Sequence, residues 1–149
     1  MNETFYAISC DILKYMKNEK IIIKDIVAMS RGRVVVDENL EFIINELRKR
    51  NIIVITLIKR MKDNDIKSHI LSGRIFITNN SADFVKDATS YEYGIIATEN
   101  IRFKDPEKLA KMISDAIIEF ELWSIINSNG CFILHLKNDG KHVLKMLKN

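Results

Sequence analysis

The residues best suited to chemistry are acids and amides in three short groups. Asp37-Glu38-Asn39 follows Val34-Val35-Val36, Asp63-Asn64-Asp65 follows Lys62, and Thr78-Asn79-Asn80 stands just before Asp83. Carboxylates brought together repel and raise one another's pKa, so a converging set is comfortable only with a cation bound. Mg²⁺ or Mn²⁺ takes hard oxygen ligands, commonly one or two carboxylates plus water and substrate phosphate. Such an ion activates water and neutralises charge on a phosphodiester transition state. Each acid also has a plainer use. Asp37 can cap the helix beginning at Glu38, Asp63 or Asp65 can cap the next one, and Asn80 with Asp83 makes a capping-box-like pair. Folding decides between the two uses.

The elements that must position these groups alternate regularly. Val34 to Val36 is a short β-branched run suited to a strand buried on both faces. From Glu38 the period becomes 3.6, with Leu40, Ile43, Ile44 and Leu47 on one face and Glu41, Asn45, Glu46, Arg48 and Lys49 on the other. Asn51 ends that helix, and residues 52 to 58 (IIVITLI) read as a second strand. Ile66, Ile70 and Leu71 mark a short helix stopped by Gly73. Residues 74 to 78 (RIFIT) form a third strand, 81 to 91 a helix, and 94 to 98 (GIIAT) a fourth strand. Asp105-Pro106 is a helix start, an N-cap followed by proline at the first helical position. The helix it opens carries Leu109, Met112, Ile113, Ala116, Ile117 and Phe120 in one stripe. CFILHL, the turn Asn138-Asp139-Gly140 and KHVLKML close the chain as a hairpin added at a sheet edge.

This order predicts right-handed crossovers, a parallel sheet and a three-layer α/β domain over residues 31–149. Every parallel strand then opens its carboxyl end on the same side, where sites form, and all three polar groups fall there. Residues 1–30 stand apart from the alternation. Phe5, Ile8, Ile12, Tyr15 and Met16 recur at helical spacing, which predicts a helical N-terminal extension. It packs on the domain's own core or offers a surface to a second copy or an inhibitor protein.

Composition narrows the class. One proline and five glycines in 149 residues argue against a many-turned all-β fold. A net charge of +3 fits a nucleic-acid partner without requiring one. Cys10 and Cys131 lie far apart, match no metal-ligand spacing and suit small apolar side chains in a reducing compartment. The N-terminus lacks the pattern of a signal peptide and no apolar run approaches the ~20 residues of a membrane helix, so the expectation is a cytoplasmic protein with no membrane partner.

Other chemistries fit less well. A receiver-like phosphoacceptor needs an Asp ending the third strand, where Thr78-Asn79 stands. Dinucleotide binding needs a glycine-rich first turn, which Asp37-Glu38-Asn39 lacks. Cys131 and His135 share a face of one predicted strand, but their surroundings read as an apolar hairpin. Lys59, Arg60 and Lys62 adjoin the second acidic group and are the candidates for contacting RNA phosphates, ahead of Arg48, Lys49 and Arg50 at a helix end.

VVVDENL followed by an amphipathic helix resembles the opening of small bacterial PIN-like proteins, relatives of the VapC toxins. DNDIKSHILSGRIFITNNSADF resembles their next block: an acid, a short helix, then a strand ending in Thr-x-Asp-x-Asp-Phe. GIIAT, the long helix and the hairpin follow in the same order, so the likeness spans residues 33 to 147. It implies a PIN-like fold whose acids hold Mg²⁺ or Mn²⁺ for RNA phosphodiester hydrolysis. Asp37 is then the principal ligand with Glu38 beside it, Asp63 or Asp65 the second, and Asp83 the third, with Asn39, Thr78 and Asn80 supporting. Where the family pattern has its metal-facing Asp, this chain has Asn79-Asn80 and one extra residue before Asp83. A neutral amide does not balance a dication. The implied protein is therefore a toxin-like endoribonuclease with a partly degenerate site, or an inactive PIN-like module that only binds.

Overall fold

The computed structural model describes residues 4–8, 34–57, 62–126 and 131–147, the first of these as backbone only. Among these residues the centre is one seven-stranded sheet. The strands are β1 (Thr4–Ile8), β2 (Val34–Val36), β3 (Val54–Thr56), β4 (Ile75–Thr78), β5 (Gly94–Ala97), β6 (Cys131–Leu136) and β7 (His142–Leu147). They lie side by side as β1-β7-β6-β5-β4-β2-β3. The five from β2 to β6 are mutually parallel, and β7 and β1 follow antiparallel.

Counted from β2, the parallel strands take the doubly wound order 2-1-3-4-5. Leaving β2, the chain turns to one side to make β3, then crosses back over β2 to make β4. Between β2 and β4 the direction of winding reverses, and there the carboxyl edge opens into a crevice.

The connecting helices cover both faces, which makes three layers. A six-residue 3₁₀ segment, Glu38–Ile43, leads into α1 (Ile44–Lys49). A turn of α-helix at Asp63–Asp65 widens into π-helical Ile66–Leu71, together α2. Two single-turn helices, α3 (Ala82–Val85) and α4 (Ala88–Tyr91), precede β5, and α5 (Pro106–Ile126) is the long crossover to β6. Alternation along the strands sorts the core into two halves. Val34, Val36, Ile75, Ile77, Ile96, Phe132 and Leu134 point towards α1 and α5. Val35, Phe76, Ile95, Ala97 and Ile133 point towards α2, α3 and α4. Every side chain of β2, β4 and β5 is buried, as strands covered on both faces require.

Most expected elements occur, with instructive differences. Asp105 caps α5, its Oδ1 accepting Glu107 and Lys108 N–H at 3.0 and 3.3 Å. Gly73 (φ 73°), Asn51 (φ 65°) and Gly140 (φ 85°) take the left-handed conformations expected where helices and the hairpin turn end. The helix expected over 81 to 91 is two single turns instead, and at the break the Phe84 carbonyl accepts the Tyr93 hydroxyl. Of the expected strand over 52 to 58, the described residues 52 to 57 yield only three strand residues, since β3 pairs among them with β2, itself three residues long, and Ile58 lies outside the described residues. Residues 4–8, expected within a helical extension, are a strand paired from Thr4↔Met146 to Ile8↔His142, so β1 takes the edge expected for the hairpin. The rest of the expected extension, residues 1–3 and 9–30, lies outside the described residues. No helix among the described residues is long and apolar enough to cross a membrane.

Two packing details set firm limits. Gly94 begins β5 directly beneath Phe120, whose ring meets Phe132 edge-on at 5.6 Å. A Cβ on Gly94 would stand 2.6 and 2.8 Å from Cε2 and Cε1 of Phe120. The other is a polar pair in the apolar interior: Glu119 Oε2 on α5 meets His142 Nδ1 on β7 at 2.9 Å, each side chain 2% exposed.

Gly94→Ala is therefore expected to lower stability by about 1–3 kcal/mol through overpacking, read as a shift of the urea midpoint at unchanged m-value. His142→Leu strands a buried carboxylate and is expected to cost about 3–5 kcal/mol, whereas Glu119→Leu with His142→Leu recovers most of it. A double variant no more stable than the single one would contradict this account.

Candidate functional site

The crevice between β2 and β4 is built from polar groups held at strand ends. Asp37 follows β2 and still donates its backbone N–H to Ile77 O at 2.9 Å, so it is fixed as firmly as a strand residue. Its side chain does two things at once. Oδ1 accepts the Asn39 N–H at 3.2 Å, the expected cap, and Oδ2 accepts the Thr78 hydroxyl at 2.7 Å from the end of β4. Thr78 Oγ1 in turn accepts the Asn80 N–H at 3.0 Å, giving a relay from loop amide to hydroxyl to carboxylate. Asp37 is 7% exposed and Thr78 wholly buried.

One strand further, the pattern repeats. The Thr98 N–H donates to Thr78 O at 2.9 Å. Glu99 accepts the hydroxyl of buried Ser81. Extending to the fourth strand the rule applied to the first three would have found Thr98 and Glu99. Beside this edge, on the side covered by α1 and α5, lies a cleft of about 610 Å³. Asn39, Asn79, Thr98, Glu99 and Lys104 give it polar groups, and Leu40, Phe42, Ile101, Phe103, Pro106 and Leu109 give it apolar walls. Asp37 adjoins the cleft through Asn39 without lining it. That volume is in the range of small-ligand sites.

The other predicted residues are placed less centrally. Glu38, Asp65 and Asp83 are exposed. Asp65 makes no side-chain capping bond. Asn80 and Asp83 do meet, but by a bond from Asn80 Nδ2 to Asp83 Oδ2 at 2.6 Å rather than through the backbone amides of a capping box. Lys62 is exposed. Lys59, Arg60 and the side chain of Asp63 lie outside the described residues. Among the described residues no three His, Cys, Asp or Glu side chains form a group that could hold a metal ion.

A thiol nucleophile is also disfavoured on geometry. Cys131 and His135 stand four residues apart on β6, a rise of roughly 13 Å along a strand. Burial pushes the Cys131 thiol up, with Glu92 adding to it, so the reactive thiolate is suppressed. Its Sγ instead lies 3.5 Å from Ala88 O. Burial also lowers the His135 pKa, against the opposing pull of Glu99.

Sequence comparison adds no relative: no family model, curated protein or solved structure matches the chain. Thr78→Val tests the relay directly. It removes the donor to a buried carboxylate and the acceptor of Asn80 N–H while keeping the shape, so a loss of about 1–3 kcal/mol in chemical denaturation is expected. A neutral result would show that water serves both partners equally well.

Proposed function

We propose that this chain is a PIN-like protein that acts on RNA at its carboxyl edge, hydrolysing phosphodiester bonds with Mg²⁺ or Mn²⁺. What supports the reading is Asp37: a carboxylate held at the switch point of a doubly wound sheet, where such folds place their chemistry.

A carboxylate has about four lone-pair sites, and Asp37 commits one oxygen to Asn39 and the other to Thr78. Capacity remains for a cation, and Mg²⁺ needs only one or two protein carboxylates when water and phosphate complete its shell. Asp37 would hold the ion, with Asp63 and Asp83 as further ligands and Glu38 and Asp65 as neighbouring acids. When bound, the ion supplies a water of lowered pKa and neutralises phosphate charge. Thr78 keeps the Asp37 carboxylate in one rotamer, and Asn80 keeps that of Asp83 at the rim. Lys59, Arg60 and Lys62 contact flanking phosphates.

A second reading, a PIN-like module that binds without cleaving, is favoured by Asn79. This amide lines the cleft in the segment where the family pattern carries its acid, and the described acids form no ligand trio.

Incubation with structured and unstructured RNA in Mn²⁺ or Mg²⁺ decides between them. The nuclease reading expects metal-dependent cleavage that falls at least about 100-fold in Asp37→Asn. Equal cleavage by both proteins, or none under either metal, removes it. The binding-only reading expects no saturable Mn²⁺ or Mg²⁺ binding near Asp37 by NMR at millimolar metal, and gain of affinity in Asn80→Asp.

A further inference from the structure

The cleft beside Asp37 has features that the proposed hydrolysis does not use. Phe42 lines it while 44% exposed, and among the described residues only Ile53 is a comparably exposed large apolar side chain. On the amphipathic pattern Phe42 falls outside the buried stripe. The 3₁₀ segment, kinked at Leu40 (φ −116°, ψ 19°), carries it at the cleft. The second aromatic ring of the cleft is already covered, since Lys108 Nζ lies 4.3 Å from the Phe103 centroid. No described ring or cation covers Phe42.

Of its polar groups Asn39, Asn79 and Lys104 are of a matching kind, while the one acid among them, Glu99, already accepts the Ser81 hydroxyl. Asn39 and Asn79 each offer a carbonyl acceptor and an amide donor, and neither side-chain amide bonds to another described residue. Lys104 lines the same cleft, is exposed and forms no ion pair with a described residue. A flat heteroaromatic ring with donors and acceptors on its edge and an anion attached is the chemistry these groups recognise together. One exposed aromatic face stacks on it, amides read its edge, and a lysine meets its phosphate. About 610 Å³ accommodates one such unit. A base still paired in a duplex presents its faces to its neighbours and cannot enter a concave pocket.

We propose that this cleft binds a single unpaired nucleobase of single-stranded RNA, stacked on Phe42, with Asn39 and Asn79 at its edge and Lys104 on the adjoining phosphate. The proposal rests on the carboxyl edge being a nucleic-acid site, and it makes the protein selective for unpaired strands. It does not depend on metal or on cleavage.

Fluorescence anisotropy in EDTA tests it, with a labelled eight-nucleotide single-stranded RNA and the same sequence as a duplex. Saturable binding of the single strand, at least about tenfold tighter than the duplex, is expected. Phe42→Leu keeps apolar bulk without the ring and should weaken binding roughly 5- to 150-fold, the range of one base–aromatic stack. Phe42→Tyr, which keeps the ring, should bind within about threefold of the parent and shows that the position tolerates change. Lys104→Ala should weaken binding and flatten its salt dependence, while Lys86→Ala, at the exposed turn between α3 and α4 on the other face of the sheet, should not. Equal affinity for duplex and single strand, an unaltered Phe42→Leu, or no binding of the single strand at 0.1 mM overturns the proposal. Because no metal is present, this assay reads binding alone; such binding together with no cleavage in the Mn²⁺ and Mg²⁺ incubations would sink only the nuclease reading. Cleavage without Phe42-dependent binding would sink only this one.

Discussion

The hydrogen bond from Thr78 to Asp37 ties together the two strands between which the sheet reverses its winding. Where the connections leave towards opposite faces the carboxyl edge opens, and beyond the backbone pairing of β2 with β4 a side-chain bond holds its two lips together. Here the closure is electrostatic. A carboxylate 7% exposed must find donors or suffer its desolvation in full, and the donors available are an amide of its own turn and a hydroxyl from the neighbouring strand. The same bond orients Asp37, buries Thr78 and, through Thr78 Oγ1, fixes where the chain goes at Asn80. Position of the chemistry and integrity of the fold are one arrangement at this edge.

Away from the edge, the interior is mostly hydrocarbon with a few deliberate polar insertions. Lys67 is buried with its Nζ 2.8 Å from Asp87 and 5.3 Å from the Phe84 ring, which ties α2 to the turn between α3 and α4. Glu119 and His142 play the corresponding part on the other side, joining α5 to β7. Neither pair gives much net stability, since each has given up hydration to form. Their value is in register: an apolar helix can slide by a turn at little cost, but one carrying Glu119 cannot without leaving a charge in oil. The apolar face of α5 and the antiparallel strands are therefore locked in one alignment.

Much of this was readable from the residues. Alternating β-branched runs and 3.6-period segments gave the parallel sheet and its helices. Asp105-Pro106, Gly73 and Gly140 marked their boundaries, because caps and left-handed turns depend on neighbours within four residues. What failed was non-local. Phe5 and Ile8 fit a helix as well as a strand, and only β7, far along the chain, decides for the strand. Glu119 reads as a solvated acid until a histidine from the hairpin is set against it. At the site, Asp37 was visible as a cap and as a candidate ligand, but its partner Thr78 depended on β4 lying beside β2, which periodicity does not specify. Phe42 and Lys104 were missed because a cleft wall is assembled from loops whose order in space no spacing records.

The outermost position of β1 carries a consequence for how the protein is made. Thr4 pairs with Met146 and Ile8 with His142, so β1, the earliest of the described strands, lacks its described partner until β7, the latest of them, has been synthesised. The units from β2 to β5 rest on nearby contacts and can consolidate during elongation. β1 must wait for that pairing until the hairpin emerges. Slow translation lengthens that wait, and a helper that shields the nascent end would act there.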